Sequence, residues 1–264
     1  MSGLIALLTD FGLKDPFVGV MKGVIYGIAP DIRVIDITHS INPQDIKSAA
    51  WVLATSYSYF PENTIFVCVV DPGVGGIRDI VLVKTCMHYF LAPDNGILSY
   101  ILKNDTIDEV IKLDNKDFWL DNISNTFHGR DIFAPVAAFL SQKNYDVNIF
   151  GSKKPQEELV KLDLKSPEYL KNSITGSVVY IDNFGNLITD IPGSWIADNK
   201  ILTTINDVKI KGLKNAYGAV ESGELLILIG SHNCIEISAR NDSAAAFLKV
   251  ETGQKVRIDL LDDF

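Results

Sequence analysis

The sequence predicts an α/β protein in two parts. An N-terminal α/β domain with a largely parallel sheet covers residues 1–160, and a smaller C-terminal all-β domain covers residues 174–264. Three observations predict this. Short apolar strands alternate with helix-like segments through the first half. A charged, proline-bearing stretch, KKPQEELVKLDLKSPEYLKNS (153–173), then breaks the pattern and reads as a linker. Seven short β-like runs separated by Gly, Asn and Asp follow it, as in a small sandwich or barrel.

LIALLTD reads as a buried strand, and FVGVMKGVIYGIA as a helix ending before Pro30. RVIDIT is a strand; DIKSAAWVLATSYSYF is a helix with Asp45 at its N-cap and its end near Pro61. TIFVCVVD, IVLVK and YFLAPD are strands, and NGILSYIL is a short helix. EVIKLD and DIFAPVAAFLSQ add a strand and a helix. The β runs of the second part are VVYID, NLITDI, ILTTI, VKIKGL, LLILIG, CIEISA and KVRIDLL.

Bulk properties narrow the function. The chain has 264 residues, enough for one large domain or two ordinary ones, and 47% hydrophobic content supports a sizeable core. A net charge of −9 argues against a nucleic-acid backbone or an anionic membrane as main partner. The opening MSGLIALLTDFG is too short an apolar run for a signal peptide, and no run is long enough to span a bilayer. Cys68, Cys86 and Cys234 lack metal-site spacing and read as free thiols, so a reducing cytoplasm is expected.

In α/β sheets ligands gather beyond the carboxyl ends of strands. LLTDFG places Asp10 at such an end, VVDPGVGGIRD (69–79) places Asp71 at another, and LAPDNG puts Asp94 and Asn95 at a third, between a strand and a helix, where they read as a cap. FHGRDIFAP brings His128, Arg130 and Asp131 to a helix start, where Asp131 reads as the N-cap. DPGVGG lacks the GK[ST] ending of a phosphate-binding loop, and a strand rather than a helix follows it. Its glycines therefore serve backbone turning and close approach. DFG and HGRD occur in the wrong order for a protein kinase, and the other kinase motifs are missing. A metal site drawing on Asp10, His39, Asp71 and His128 has no supporting spacing, so no metal is expected.

Asp71, Arg78 and His128 can converge on one water, with Asp71 or His128 accepting its proton and Arg78 stabilising the hydroxide-like species. In the second half, IDNFGNLITDI supplies a carboxylate (Asp182), an aromatic face (Phe184) and an amide (Asn186). That inventory suits an amine, a purine ring and its hydrogen-bonding edge. In CIEIS, Ile235 and Ile237 share one face, which leaves Glu236 and Ser238 on the other.

Taken together and in this order, LLTDFG, VVDPGVGGIRD, LAPDNG, FHGRDIFAP, IDNFGNLITD and the SHNCIEISARN region resemble the S-adenosylmethionine hydrolase family. Its members are also called hydroxide adenosyltransferases and are related to S-adenosylmethionine-dependent chlorinases and fluorinases. The resemblance runs nearly the whole length. It implies the two-domain fold, S-adenosyl-L-methionine as substrate rather than cofactor, no cofactor, and a homotrimer with sites at subunit interfaces. It assigns Asp71, Arg78 and His128 as the catalytic set. Asp10 falls on the ribose-binding aspartate with Phe11 beside it, Asp182 on the position meeting the methionine amino group, and Asn186 on the adenosine side. Phe184, Ser231, Glu236 and Ala239 complete the implied contacts. Halogenases of this type carry tyrosine where Asp71 stands, so hydrolysis is expected. A halide-using enzyme and a non-catalytic adenosine-binding protein are the alternatives.

Overall fold

Strand β1 (Leu4–Thr9) is buried along its whole length, and its side chains alternate between two apolar layers. Ile5 and Leu7 point into one layer, Ala6 and Leu8 into the other. A strand of this kind needs cover on both faces, and helices supply it. This computed structural model describes residues 3–142, 146–196 and 200–261, which fall into two units, Met1–Asp163 and Leu164–Phe264.

In the first unit, α1 (Phe17–Ile28) follows β1 and leads to β2 (Arg33–Thr38). Next come α2 (Ile46–Ser56), β3 (Thr64–Val69), β4 (Ile80–Thr85), β5 (Tyr89–Pro93), α3 (Ser99–Asn104), β6 (Ile107–Lys112), α4 (Ala134–Ser141) and the short β7 (Ser152–Lys153). The N-cap expected at Asp45 is present: its carboxylate accepts from the Ser48 N–H at 3.0 Å. Met21 and Ile25 of α1 pack with Val136 and Ala137 of α4 on one face of the sheet, while Leu53 of α2 and Ile101 of α3 lie on the other.

The sheet order is β2-β1-β3-β5-β4-β6-β7, and the sheet is mixed rather than largely parallel. The pairs β1–β2, β1–β3 and β3–β5 are parallel; β4–β5, β4–β6 and β6–β7 are antiparallel. The cause is local. Only residues 86–88 join β4 to β5, too few for the crossover a parallel pair needs. Because β5 lies between β3 and β4, residues 70–79 do not form a tight turn. They arch over the carboxyl end of β5, with the Asp94 N–H bonded to the Asp79 carbonyl at 2.9 Å.

In the second unit every expected run forms a strand: β9 (Ser173–Ile181), β10 (Leu187–Pro192), β11 (Ile201–Ile205), β12 (Val208–Lys211), β13 (Leu225–Ile229), β14 (Cys234–Ala239) and β15 (Lys255–Leu260). They are preceded by β8 (Glu168–Leu170), which lies in the stretch read as a linker and pairs with β9. The order β12-β11-β15-β9-β10-β14-β13 is antiparallel throughout, and a bridge between Leu213 and Ile227 brings the two edges together. The result is nearly a barrel, packed with Ile174, Ile191, Ile227, Ile237 and Ile258. One short helix, α5 (Ala244–Leu248), capped by Ser243, departs from the all-β expectation.

Candidate active site

Asp71 stands two residues beyond β3, and Arg78 two residues before β4, at opposite ends of the arch. The Arg78 Nε–H is shared between both Asp71 carboxylate oxygens at 3.1 Å, and Nη2 donates to Oδ2 at 2.5 Å. The same Nη2 lies 2.8 Å from His128 Nδ1. Both members of the ion pair are largely buried, the Asp71 side chain 4% and the Arg78 side chain 12% exposed. Arginine can only donate, so His128 Nδ1 is the acceptor and the ring proton sits on Nε2. Burial, and then the Arg78 charge, hold the His128 pKa below its ordinary value, which keeps the ring neutral.

The sequence brings His128 here through a close backbone approach. Gly75 takes φ +75°, and a methyl group in its place would overlap the Asn125 carbonyl oxygen. The arch is thus docked against the segment that leads into His128. Beyond it the chain winds through one π-helical turn, Gly129–Phe133, before α4. Asp131 is therefore not an N-cap. It is fully buried inside that turn, accepts from the Ser124 N–H at 2.7 Å and pairs with Arg130. The helical winding begins before Asp131, so its own N–H already bonds to the Phe127 carbonyl.

Phe11 packs edge-to-face with Phe17 and Phe127, at centroid distances of 5.8 and 5.9 Å. Its neighbour Asp10 accepts from the Gln44 N–H at 2.8 Å. Asp94 and Asn95 do not cap α3. Asp94 accepts from the Val160 N–H and pairs with Lys154, while the Asn95 amide holds the Val70 carbonyl. His39, considered above with the acidic residues as a ligand, faces Thr9 and Asp36. Among the described residues no three His, Cys, Asp or Glu side chains gather as ligands.

The second-unit candidates all line one cavity of about 1000 Å³: Asp182, Phe184, Asn186, Ser231, Glu236 and Ala239. Asp182 organises its own loop, accepting from the Phe184 and Asn186 N–H groups at 2.9 Å and from Asn186 Nδ2 at 2.8 Å. A carboxylate can only accept, so it fixes the amide orientation, with Nδ2 toward Asp182 and Oδ1 as the acceptor on the other side of the amide. The Phe184 ring is 76% exposed at the cavity wall. Glu236 is buried and takes two hydroxyl donors on Oε1, Tyr217 at 2.6 Å and Ser238 at 2.8 Å. Sequence reasoning missed Tyr217. It opens a single 3-10 turn, Tyr217–Ala219, between β12 and β13, too short for any periodicity to mark a side chain's direction.

The chain matches the SAM hydroxide adenosyltransferase N-terminal domain over residues 5–151 and the C-terminal domain over residues 176–257. It is 34% identical to the (R)-S-adenosyl-L-methionine hydrolase of Methanocaldococcus jannaschii, across 97% of this chain and 95% of that protein. A crystal structure of a conserved protein from Thermotoga maritima superimposes with a TM-score of 0.90 at 34% identity, covering 97% of this chain and 99% of that one. The fluorinase of Nocardia brasiliensis is more distant, at 24% identity across 71% of each chain. The arrays in both units therefore lie within the two halves of a recognised fold, and the chain belongs to the SAM hydroxide adenosyltransferase family.

Proposed function

We propose that this protein hydrolyses S-adenosyl-L-methionine to adenosine and L-methionine, water attacking the ribose C5′ carbon in line with the departing thioether. The observation that carries the reading is the connected Asp71–Arg78–His128 array at the carboxyl end of the sheet. The leaving group is a neutral thioether, so no general acid is needed, and the chemical task is to aim and deprotonate water. Asp71 Oδ1 is the less encumbered carboxylate oxygen, because the shortest Arg78 contact falls on Oδ2. We assign it as proton acceptor. His128, with Nδ1 occupied by Arg78, orients the water through Nε2–H. A positioned base of this kind contributes about 100- to 10,000-fold.

The same geometry argues against a halide nucleophile. Asp71 neutralises the Arg78 charge, so the array offers an anion no net attraction. In the second-unit cavity the exposed Phe184 ring suits the adenine face, and Asn186 Oδ1 suits its exocyclic amine. Asp182 and Ser231 are assigned to the methionine end, Glu236 and Ala239 to the remaining contacts, and Asp10 with Phe11 to the ribose.

We further assign a cytoplasmic homotrimer in which neighbouring copies complete each site. Ile77, fully exposed beside Arg78, and the exposed Phe184 are apolar side chains that such a neighbour would cover. No described helix is long and apolar enough to cross a membrane. Incubation with S-adenosyl-L-methionine, followed by chromatography, tests the reading. Adenosine and methionine in equal amounts support it; 5′-chloro-5′-deoxyadenosine in the presence of chloride, or adenosine binding without turnover, overturns it.

A further inference from the structure

Behind Asp10 runs a chain of polar side chains that the proposed chemistry does not use. Thr9, the last residue of β1, is fully buried, and its Oγ1 lies 2.8 Å from Nδ1 of the buried His39. The same oxygen accepts from the Phe11 N–H at 3.2 Å, and the Gly12 N–H bonds to the His39 carbonyl at 2.7 Å. On the far side His39 Nε2 faces Asp36 Oδ1 at 3.0 Å, a close contact that is poorly aligned as a hydrogen bond. Asp36 is anchored in turn by Lys22 at 2.6 Å.

One proton arrangement suits the Thr9 hydroxyl bonds and the nearby Asp36 charge. The Asp36 carboxylate favours a proton on His39 Nε2, Nδ1 then accepts the Thr9 hydroxyl proton, and the Thr9 oxygen remains free to accept from Phe11. The Thr9 hydroxyl thus links Thr9 and Phe11, the two residues flanking Asp10, to the His39 imidazole; Gly12 is held by the His39 main-chain carbonyl, and the Asp10 carboxylate is held from outside by the Gln44 N–H.

We propose that Thr9, His39 and Asp36 are positioning residues that fix the Asp10 turn for binding the ribose of the substrate. The proposal rests on the functional reading above and on Asp10 as its ribose contact. Its mark is uniform binding: losing the relay raises KM and weakens product binding while kcat stays nearly constant.

The test is calorimetric titration of adenosine, with steady-state kinetics, on Thr9→Val, Thr9→Ser, Asp10→Ala and the Thr9→Val/Asp10→Ala double variant. Thr9→Val is expected to weaken adenosine binding about 3- to 10-fold, the scale of one net hydrogen bond. Thr9→Ser is expected to restore it. In the Asp10→Ala background Thr9→Val should add nothing, because its effect passes through Asp10. Multiplying effects, or unchanged affinity in Thr9→Val, would overturn the proposal. Should Thr9→Val fail to fold, Asp36→Ala carries the same test from a partly exposed side chain, with a loss of about 2- to 5-fold that vanishes in the Asp10→Ala background. Wild-type affinity in Asp10→Ala alone would instead remove the ribose assignment beneath the proposal. A wild-type protein that neither binds adenosine nor consumes the substrate would remove the functional reading itself.

Discussion

Gly75→Ala is the substitution whose effect follows most directly from the backbone. The residue sits at φ +75°, where a Cβ costs about 1–2 kcal/mol. The added methyl would also overlap the Asn125 carbonyl, so the 121–126 segment must move, and overpacking of this kind costs about 1–3 kcal/mol. Together these give a loss of about 3 kcal/mol. For a unit of this size that lowers Tm by about 6–12 °C. Asn125 lies three residues before His128, so a shift of about 1 Å stretches the 2.8 Å Arg78–His128 contact and lowers turnover about 100-fold. Gly253→Ala is the control: φ is +90° but no atom lies within 4 Å of the added methyl, so it suffers strain without displacement. It should lose about 1–2 kcal/mol and keep its turnover. Thermal unfolding followed by fluorescence, with steady-state kinetics, reads both. Wild-type Tm and turnover in Gly75→Ala would refute the idea that this glycine docks the arch against the His128 segment.

Two further outcomes are expected. Asp71→Asn should reduce kcat about 100- to 10,000-fold with little change in adenosine affinity, as kinetics and calorimetry would show. Because it leaves a largely buried Arg78 without its anion, it should also cost about 3–5 kcal/mol in denaturant unfolding. The pH dependence follows from His128, whose folded-state pKa lies below its ordinary 6.5 because of burial and Arg78. The unfolded chain therefore takes up the proton first as pH falls. The histidine's contribution to stability is intact above pH 6.5 and is lost as pH drops through the folded-state value. Turnover should fall over the same acid range, since a protonated Nδ1 no longer accepts from Arg78, and profiles of kcat/KM and Tm against pH check this.

Much of the fold was legible because local signals agreed with tertiary demand. The runs from VVYID to KVRIDLL are short, apolar on at least one face and bounded by turn residues, and each became a strand. Strand direction was less legible, because it depends on which strands become neighbours. Only the three-residue link between IVLVKT and YFLAP betrays the antiparallel pair. Asp131 read as a cap because Asp before an apolar run usually is one. A π-helical turn moved the start of the winding ahead of it, and nothing in the local composition marks such a turn. Asp10, Asp71 and Arg78 sat near strand ends, and Asp182, Phe184 and Asn186 in an Asn/Gly turn, where candidates are most readily recognised in a sequence. Tyr217 opens a single 3-10 turn too short to show a period, and the Thr9–His39–Asp36 chain joins side chains whose roles show only once β1 and β2 lie side by side.

In the proposed reaction water, aimed by Asp71, Arg78 and His128, displaces methionine at C5′. Turnover of S-adenosyl-L-methionine in ¹⁸O-enriched water, with mass analysis of the nucleoside, tests it most directly. The expected product is adenosine carrying one ¹⁸O in its 5′-hydroxyl, released together with unlabelled methionine. A nucleoside without the label, or one bearing a halogen at C5′, would contradict it.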